Sequence, residues 1–330
     1  MTAALGVQAL FARAALVGPA DVEVIRATGA DRIAFLHRLL SGPVAGTAVG
    51  EGCHTLLLDT KGHVVSDIEL FVAHDHLRLT VPEGQGSPTA AALERYAIMD
   101  DFAGQRLEGQ QALWVLGPEA AARLAGAGLE VPASVASGPL RSHAEVGEGP
   151  DALWVARGRR LGVEGFWVQG APARMAALAA ALCADGVPVL PPALVESLRI
   201  AAGEPRFGAE ITGNRFPMEL GLDDAIDYGK GCYLGQEPIV RIRDRGHVNW
   251  QLRRLRFAAA GPRPAAGDKL ESPSRPAAGQ ITSVSVVPAL DGEEGLWGVA
   301  LALVHTQVAE AKVQIHTAAG PVEAEILPLS

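Results

Sequence analysis

The chain has 330 residues, enough for two or three domains with separate cores, and its 48% hydrophobic and 20% charged residues are those of an ordinary globular protein. A formal net charge of −9 argues against a general nucleic-acid binder, which carries a basic surplus. No apolar run reaches about 18 residues and no basic-then-apolar leader opens the chain, so no membrane span is expected and the expected setting is cytoplasmic. Cys53, Cys183 and Cys232 are too scattered for a disulfide framework or a Cys-x-x-Cys metal site, and they cannot supply the four thiolates of a cysteine-held iron–sulfur cluster. No metal site is assigned.

Asp21-Val22-Glu23-Val24-Ile25 alternates as a half-buried strand does, and after Gly29 the residues Ile33, Leu36, Leu39 and Leu40 fall at helical spacing. Between 54 and 81, three β-rich runs broken at Asp59-Thr60-Lys61-Gly62 and at His74-Asp75 predict an antiparallel meander. Ser87-Pro88 offers a helix cap and a first-turn proline ahead of Leu93, Tyr96 and Ala97. From 112 the order is strand (112–116), helix (118–124), β-rich runs around Trp154 and Phe166, helix (173–183), then Val187-Pro188-Val189. That β-α-β-β-α-β order predicts a ferredoxin-like unit inserted in the first domain. Pro191-Pro192 marks the return, with a short helix carrying Leu194 and Leu198. After Trp250, strands at 252–257, 280–287, 296–304, 312–317 and 322–327 predict a small closed β-barrel, with a hairpin turn at Asp291-Gly292-Glu293-Glu294-Gly295 and loops at 261–267 and 272–279. The expected division is therefore 1–110 and 191–250 as one domain in two segments, 111–190 as the insertion, and 251–330 as the barrel.

The densest chemistry lies in Gly229-Lys230-Gly231-Cys232-Tyr233-Leu234-Gly235-Gln236-Glu237. Three glycines around a cysteine describe a loop of unusual backbone angles that leaves the thiol accessible, and Lys230 at that range would favour the Cys232 thiolate. A phosphate-binding P-loop would need glycine where Asp224 stands and Ser or Thr where Gly231 stands. No Gly-x-Ser-x-Gly and no His-Glu-x-x-His occurs, so those hydrolase readings lack their minimum residues. Arg241, Arg243 and Arg245 alternate as on one strand face, the most positive stretch of an acidic chain. His54, His63, His74, His76 and His247 form no ligand spacing and are expected mostly in solvent or turns, while Trp114, Trp154 and Trp167 are expected in the core.

Read together, Arg199-Ile200-Ala201-Ala202-Gly203-Glu204-Pro205-Arg206-Phe207-Gly208-Ala209-Glu210-Ile211-Thr212, then Pro217-Met218-Glu219-Leu220-Gly221-Leu222, then the Lys-Gly-Cys-Tyr-x-Gly-Gln-Glu loop and Arg241-Ile242-Arg243, the chain resembles the folate-binding YgfZ proteins, relatives of the glycine-cleavage T-protein. The resemblance implies an α+β fold of three domains: an antiparallel-sheet folate-binding domain, an inserted ferredoxin-like domain and a C-terminal β-barrel. It implies tetrahydrofolate as cofactor, in a cleft where these domains meet, and a role in assembly or repair of iron–sulfur enzymes, with assembly proteins or client enzymes as partners. Cys232 and Lys230 become the working residues. Asp67, Gly231, Tyr233, Gly235, Gln236, Glu237, Arg241 and Arg243 become the cofactor-binding set, the arginines meeting the anionic glutamate tail. The alternative is a tetrahydrofolate-dependent aminomethyltransferase of the T-protein type. Ser66, Ala201 and Trp167 stand where T-proteins carry carboxylates, which argues against it.

Overall fold

The computed structural model describes residues 3–288 and 295–329. The chain forms two compact units, one of Gln8–Leu190 with Asp224–Pro238, the other of Pro191–Asp223 with the chain from Ile239 onward. After the opening helix α1 (Ala3–Ala12), the first unit is built on two antiparallel sheets.

One sheet has the order β3-β4-β5-β2-β6, from β2 (Glu23–Thr28), β3 (Gly52–Leu58), β4 (Val64–Val72), β5 (Leu77–Val81) and β6 (Ala103–Leu107). The predicted meander is β3 to β5. Period-2 alternation sends Leu57, Ile68 and Leu70 to one face, where they meet Phe35, Leu36 and Leu39 of α2 (Arg32–Leu39) and Leu93 of α3 (Gly86–Tyr96) in a single core. Each such side chain, fully buried, stabilises the fold by about 1.5–3 kcal/mol. The same alternation turns His54, Asp67 and Glu69 to the opposite face, with Leu56 paired to Asp67 and His54 to Glu69. The helix α3 begins one residue before Ser87, with Gln85 at the N-cap position making no side-chain capping bond, and the serine instead accepts a bond from Arg106.

The other sheet, β1-β7-β10-β9-β8, joins β1 (Ala15–Asp21), β7 (Gln111–Leu116), β8 (His143–Val146), β9 (Leu153–Arg160) and β10 (Val163–Gly170). Helices α4 (Ala120–Gly126), α5 (Ala133–Ala136) and α6 (Pro172–Ala184) cover it; Leu113, Val115, Val155 and Val168 pack on Leu124, Met175, Leu178 and Leu182. The last strand expected here, at 187–189, is only an isolated parallel bridge from Val189 to Leu16, and β1 supplies the additional strand beside β7. Arg78 and Gln169 tie the two sheets together through hydrogen bonds of 2.9 and 2.7 Å, beside buried Phe71 and Trp154. Trp154 is core as expected; Trp167 is only half-buried and stacks on Trp114, ring centroids 5.3 Å apart.

The second unit holds α7 (Pro192–Ala202), α8 (Pro217–Leu220) and, from Ile239 on, α9 (Gln236–Arg245), and six strands close a barrel. They are β11 (Trp250–Ala258), β12 (Lys269–Ser272), β13 (Arg275–Pro288), β14 (Leu296–His305), β15 (Lys312–Thr317) and β16 (Gly320–Leu327), in the order β11-β14-β13-β12-β15-β16. Residues 272–279, expected as a loop, are the tight turn and the start of a hairpin: Ser272 pairs with Arg275 and Leu270 with Gly279. The turn expected at Asp291-Gly292-Glu293-Glu294-Gly295 falls almost wholly outside the described residues. Buried Glu210 accepts from Arg199 at 3.1 Å and from Ser283 at 2.6 Å, fastening α7 to β13.

Candidate functional site

Residues 224–235 run as a strap across the β3–β4 hairpin, fixed at successive points. At its start the Asp224 carboxylate meets His54 Nδ1 at 3.2 Å. Next, Ser41 accepts the Asp227 N–H at 2.9 Å, while its hydroxyl donates to the Ala225 carbonyl at 2.7 Å and accepts the Leu56 N–H at 2.9 Å. Lys230 Nζ then donates to the carbonyls of Leu40 and Gly42 at 2.6 and 2.7 Å. At the far end Gly235, with φ 76°, lies flat against the Asp59 carbonyl and Gly62, where any side chain would collide.

Between these anchors Gly231 has open space around it, Cys232 is exposed and Tyr233 is buried. Gln236 closes the turn, its N–H on the Tyr233 carbonyl at 3.2 Å and its side chain on the Gly231 carbonyl at 3.4 Å. Glu237 opens α9, where a carboxylate complements the helix N-terminus. The chain thus gathers Lys230, Gly231, Cys232, Tyr233, Gly235 and Gln236 into one short loop beside the strand that carries Asp67.

Two expectations about this loop are corrected. The sequence puts Lys230 beside the Cys232 thiol; in the fold its ammonium turns inward to two carbonyls and lies 5.4 Å from the Tyr233 ring centre. Burial lowers its pKa to about 8 against the opposing charges of Asp227 and Cys53. Arg241, Arg243 and Arg245 do not alternate along a strand but lie in α9, so only 241 and 245, four apart, share a face. Pro238 in the first turn and Ile239 with Ile242 at helical spacing account for the helix. Arg243 is paired with Asp244, Nε to Oδ1 at 2.5 Å, and both are exposed.

Around the expected Asp67 the fold gathers His54, Glu69, Arg141 and Asp224, none of which the sequence assigned to the site. His54, expected in solvent or a turn, keeps only 10% of its side chain exposed and donates from Nε2 to Asp67 Oδ1 at 2.6 Å as well as meeting Asp224. Burial pulls its pKa down, but the Asp67 charge and the hydrogen bonds to Asp224 and Asp67 more than reverse this, raising it to about 10. Asp224 in turn is held below the usual carboxylate range by its bond to His54. Arg141 grips Glu69 through two bonds of 2.6 and 3.1 Å and lies 3.8 Å from Asp224. It does so from a left-handed backbone, φ 71°, a conformation in which a non-glycine residue is uncommon. Only the hairpin register, which puts Asp67 diagonal to His54, could have been anticipated; Asp224 and Arg141 are too distant in sequence.

The residues that replace carboxylates have settled into other work. Ser66 is buried and accepts from Thr89 at 2.8 Å, Trp167 stacks on Trp114, and the Ala201 carbonyl accepts from Arg254 at 2.8 Å. A hollow of about 430 Å³ on the barrel, lined by Arg256, Trp297, Lys312 and Glu325 among others, contains none of the residues above. Its cations are already paired, Arg256 with Glu325 and Lys312 with Glu323. Among the described residues no helix is long and apolar enough to cross a membrane.

Known proteins resemble this chain over most of its length. A putative chloroplastic transferase of Arabidopsis thaliana is 24% identical over 237 residues, 71% of this chain and 54% of its own length. The mitochondrial aminomethyltransferase of Solanum tuberosum is 27% identical over 276 residues, 79% of this chain and 66% of its own. The tRNA-modifying protein YgfZ of Sodalis glossinidius is 27% identical over 259 residues, 78% and 75% respectively. The chain thus spans between 54% and 66% of the length of the first two. The crystal structure of glycine cleavage system aminomethyltransferase T from Bartonella henselae superposes with a TM-score of 0.86 at 22% identity, covering 99% of this chain and 89% of that one. The fold is therefore of the T-protein kind. The sequence profile of the GCVT N-terminal domain matches residues 6–230, well over half of the chain. With antiparallel sheets, a six-stranded barrel and the glycine-rich strap in the expected order, the chain belongs to the GCVT N-terminal domain family.

Proposed function

We propose that this chain is a folate-binding accessory protein of the YgfZ kind, which holds tetrahydrofolate beside the β3–β4 hairpin and uses Cys232 in the assembly or repair of iron–sulfur enzymes in the cytoplasm. The observation that carries the reading is the strap: it is fixed at both ends and along its length, yet leaves the Cys232 thiol exposed. A thiol so presented is available to a partner as nucleophile, redox centre or transient metal ligand. Lys230 serves this by fixing the strap rather than by touching the sulfur.

The residues present fit a reduced folate. Asp67 spends Oδ1 on His54 and leaves Oδ2 without a partner among the described residues, an acceptor for the N–H groups of a pterin edge. Gly231 and Gly235 keep the main chain bare of side chains, and Arg241 and Arg243 of α9 are proposed as cations for the glutamate tail, each giving up a present partner to take it. Tetrahydrofolate, when bound, supplies a reduced pterin able to carry one-carbon units. The aminomethyltransferase reading is weakened by Ser66, Ala201 and Trp167, since losing one positioned acid or base typically costs about 10²–10⁴-fold in rate.

Calorimetry with mono- and polyglutamyl tetrahydrofolate tests the ligand: binding is expected, and Arg241→Ala and Arg243→Ala should weaken the polyglutamyl form more. Activity of iron–sulfur enzymes in a deletion strain tests the role. The wild-type gene should restore it, and Cys232→Ser should not. Robust release of methylene-tetrahydrofolate and ammonia from an aminomethylated carrier protein would overturn the reading in favour of the transferase.

A further inference from the structure

Resting on the folate reading, we propose that His54 is a positioning residue for that site: as an imidazolium clasped between the Asp67 and Asp224 carboxylates, it fixes Asp67 as a charged acceptor for the N–H edge of the pterin. The argument is first one of hydrogen-bond inventory. An ionised carboxylate can only accept, so a histidine whose two ring nitrogens each face a carboxylate oxygen, at 2.6 and 3.2 Å, must donate from both. A histidine that donates from both nitrogens carries a positive charge.

The second step is the charge count around it. On the face of β3 and β4 that carries His54, the groups turned toward it are Asp67 and Glu69 from β4, Asp224 from the strap and Arg141 from the segment before β8. Three carboxylates against Arg141 alone would leave uncompensated negative charge on this face. Arg141 is committed to Glu69 by a two-point grip, so it leaves Asp67 without a cation. His54 supplies it. The third step is geometry: with Oδ1 held by the ring, the carboxyl plane of Asp67 is set, and Oδ2 is left as a fixed acceptor. Because Asp224 belongs to the strap, the same ring also ties the Cys232 loop to the strand that meets the ligand.

The test compares wild type, His54→Gln, His54→Lys and Asp224→Asn, using calorimetry with 5-formyltetrahydrofolate as a stable probe at pH 7.5 and 5.5, and ¹⁵N chemical shifts of the His54 ring. Wild type should show an imidazolium at pH 7.5 and bind alike at both pH values. His54→Gln, which keeps a neutral donor, should bind about ten-fold more weakly at both pH values, the loss of one charge-assisted bond. His54→Lys should restore most of the affinity, which a ring that merely fills space would not allow. Asp224→Asn, an exposed change that threatens the fold least, should show a smaller loss with the ring still charged. If wild type binds folate and His54→Gln binds equally, the role of His54 is overturned while the folate reading stands. A neutral His54 ring at pH 7.5 overturns it as well. If wild type binds no folate, the functional reading itself fails and this role fails with it.

Discussion

Gly235 lies so close to the carbonyl oxygen of Asp59 that a methyl group on its Cα would overlap it, and its left-handed φ of 76° is one that side chains resist. Gly235→Ala should therefore cost roughly 2–4 kcal/mol, combining backbone strain with a clash against main chain. Gly231, with nothing within 4 Å and no left-handed angle, is the control. Gly231→Ala should change stability by less than about 0.5 kcal/mol. Denaturant melts of the two variants check the contrast; equal effects would mean the strap is not seated on the hairpin as described.

The thiols should separate by access. Cys53 is buried in the core of the first sheet and burial pushes its pKa to about 11, whereas Cys183 and Cys232 are exposed. Cys183 sits near the end of the alanine-rich helix α6 and faces outward. Iodoacetamide with mass spectrometry should label Cys183 and Cys232 in the native protein and Cys53 only in denaturant. Cys232→Ser should leave the melting temperature nearly unchanged, and Cys53→Ser should lower it.

Lys230→Met should loosen the strap without melting the unit. It strands the carbonyl of buried Leu40, whose loss of a partner costs about 1–3 kcal/mol, while the Gly42 carbonyl keeps the Val44 N–H. Hydrogen exchange should quicken at the Asp227 amide and its neighbours far more than in β3 or β4. Uniform acceleration would show that the lysine supports the whole unit instead.

Two histidines should shape opposite limbs of the pH–stability curve. The folded pKa of His54, raised from 6.5 to about 10, means its contribution is complete below pH 6.5 and is lost as pH rises through 10. His143 is the reverse case. Burial lowers its pKa to about 4, although the Glu51 and Val72 carbonyls lie near enough to oppose this without closing a hydrogen bond. The unfolded chain then takes up a proton that the folded one resists, so stability falls as pH drops from 6.5 toward 4. Melting temperatures across pH 4–10 should show His54→Gln flattening the alkaline limb and His143→Phe the acid limb. His143 stacks on Trp154 with centroids 4.3 Å apart, so phenylalanine keeps that contact.

Much of this was legible in the chain, for identifiable reasons. The β3–β5 meander announced itself because both its turns carry turn residues and its core face alternates without interruption. The helix α9 misled because Arg241, Arg243 and Arg245 mimic period 2, while the stronger evidence, Ile239 and Ile242 behind a first-turn proline, spans a single turn. The strand β1 escapes local reading: the strand predicted at 21–25 takes in only its last residue, and its partner β7 lies some ninety residues on, beyond any local pattern. His54 was missed because its meaning comes from Asp224, 170 residues away. Local rules report propensity; they cannot report which carboxylate a fold will bring to an imidazole.

The place of β1 has one more consequence. The unit expected at 111–190 borrows its outermost strand from residues that precede the first sheet, so it cannot be excised along the sequence without tearing that strand away. A fragment beginning at 111 would expose the bare main chain of β7, from Gln111 to Leu116, to any extended chain in reach. Such a fragment should self-associate, and adding residues 13–21 in trans should restore a monomer. This sequential segment is not a foldable module, and the N-terminal strand must be present before its sheet can be sealed.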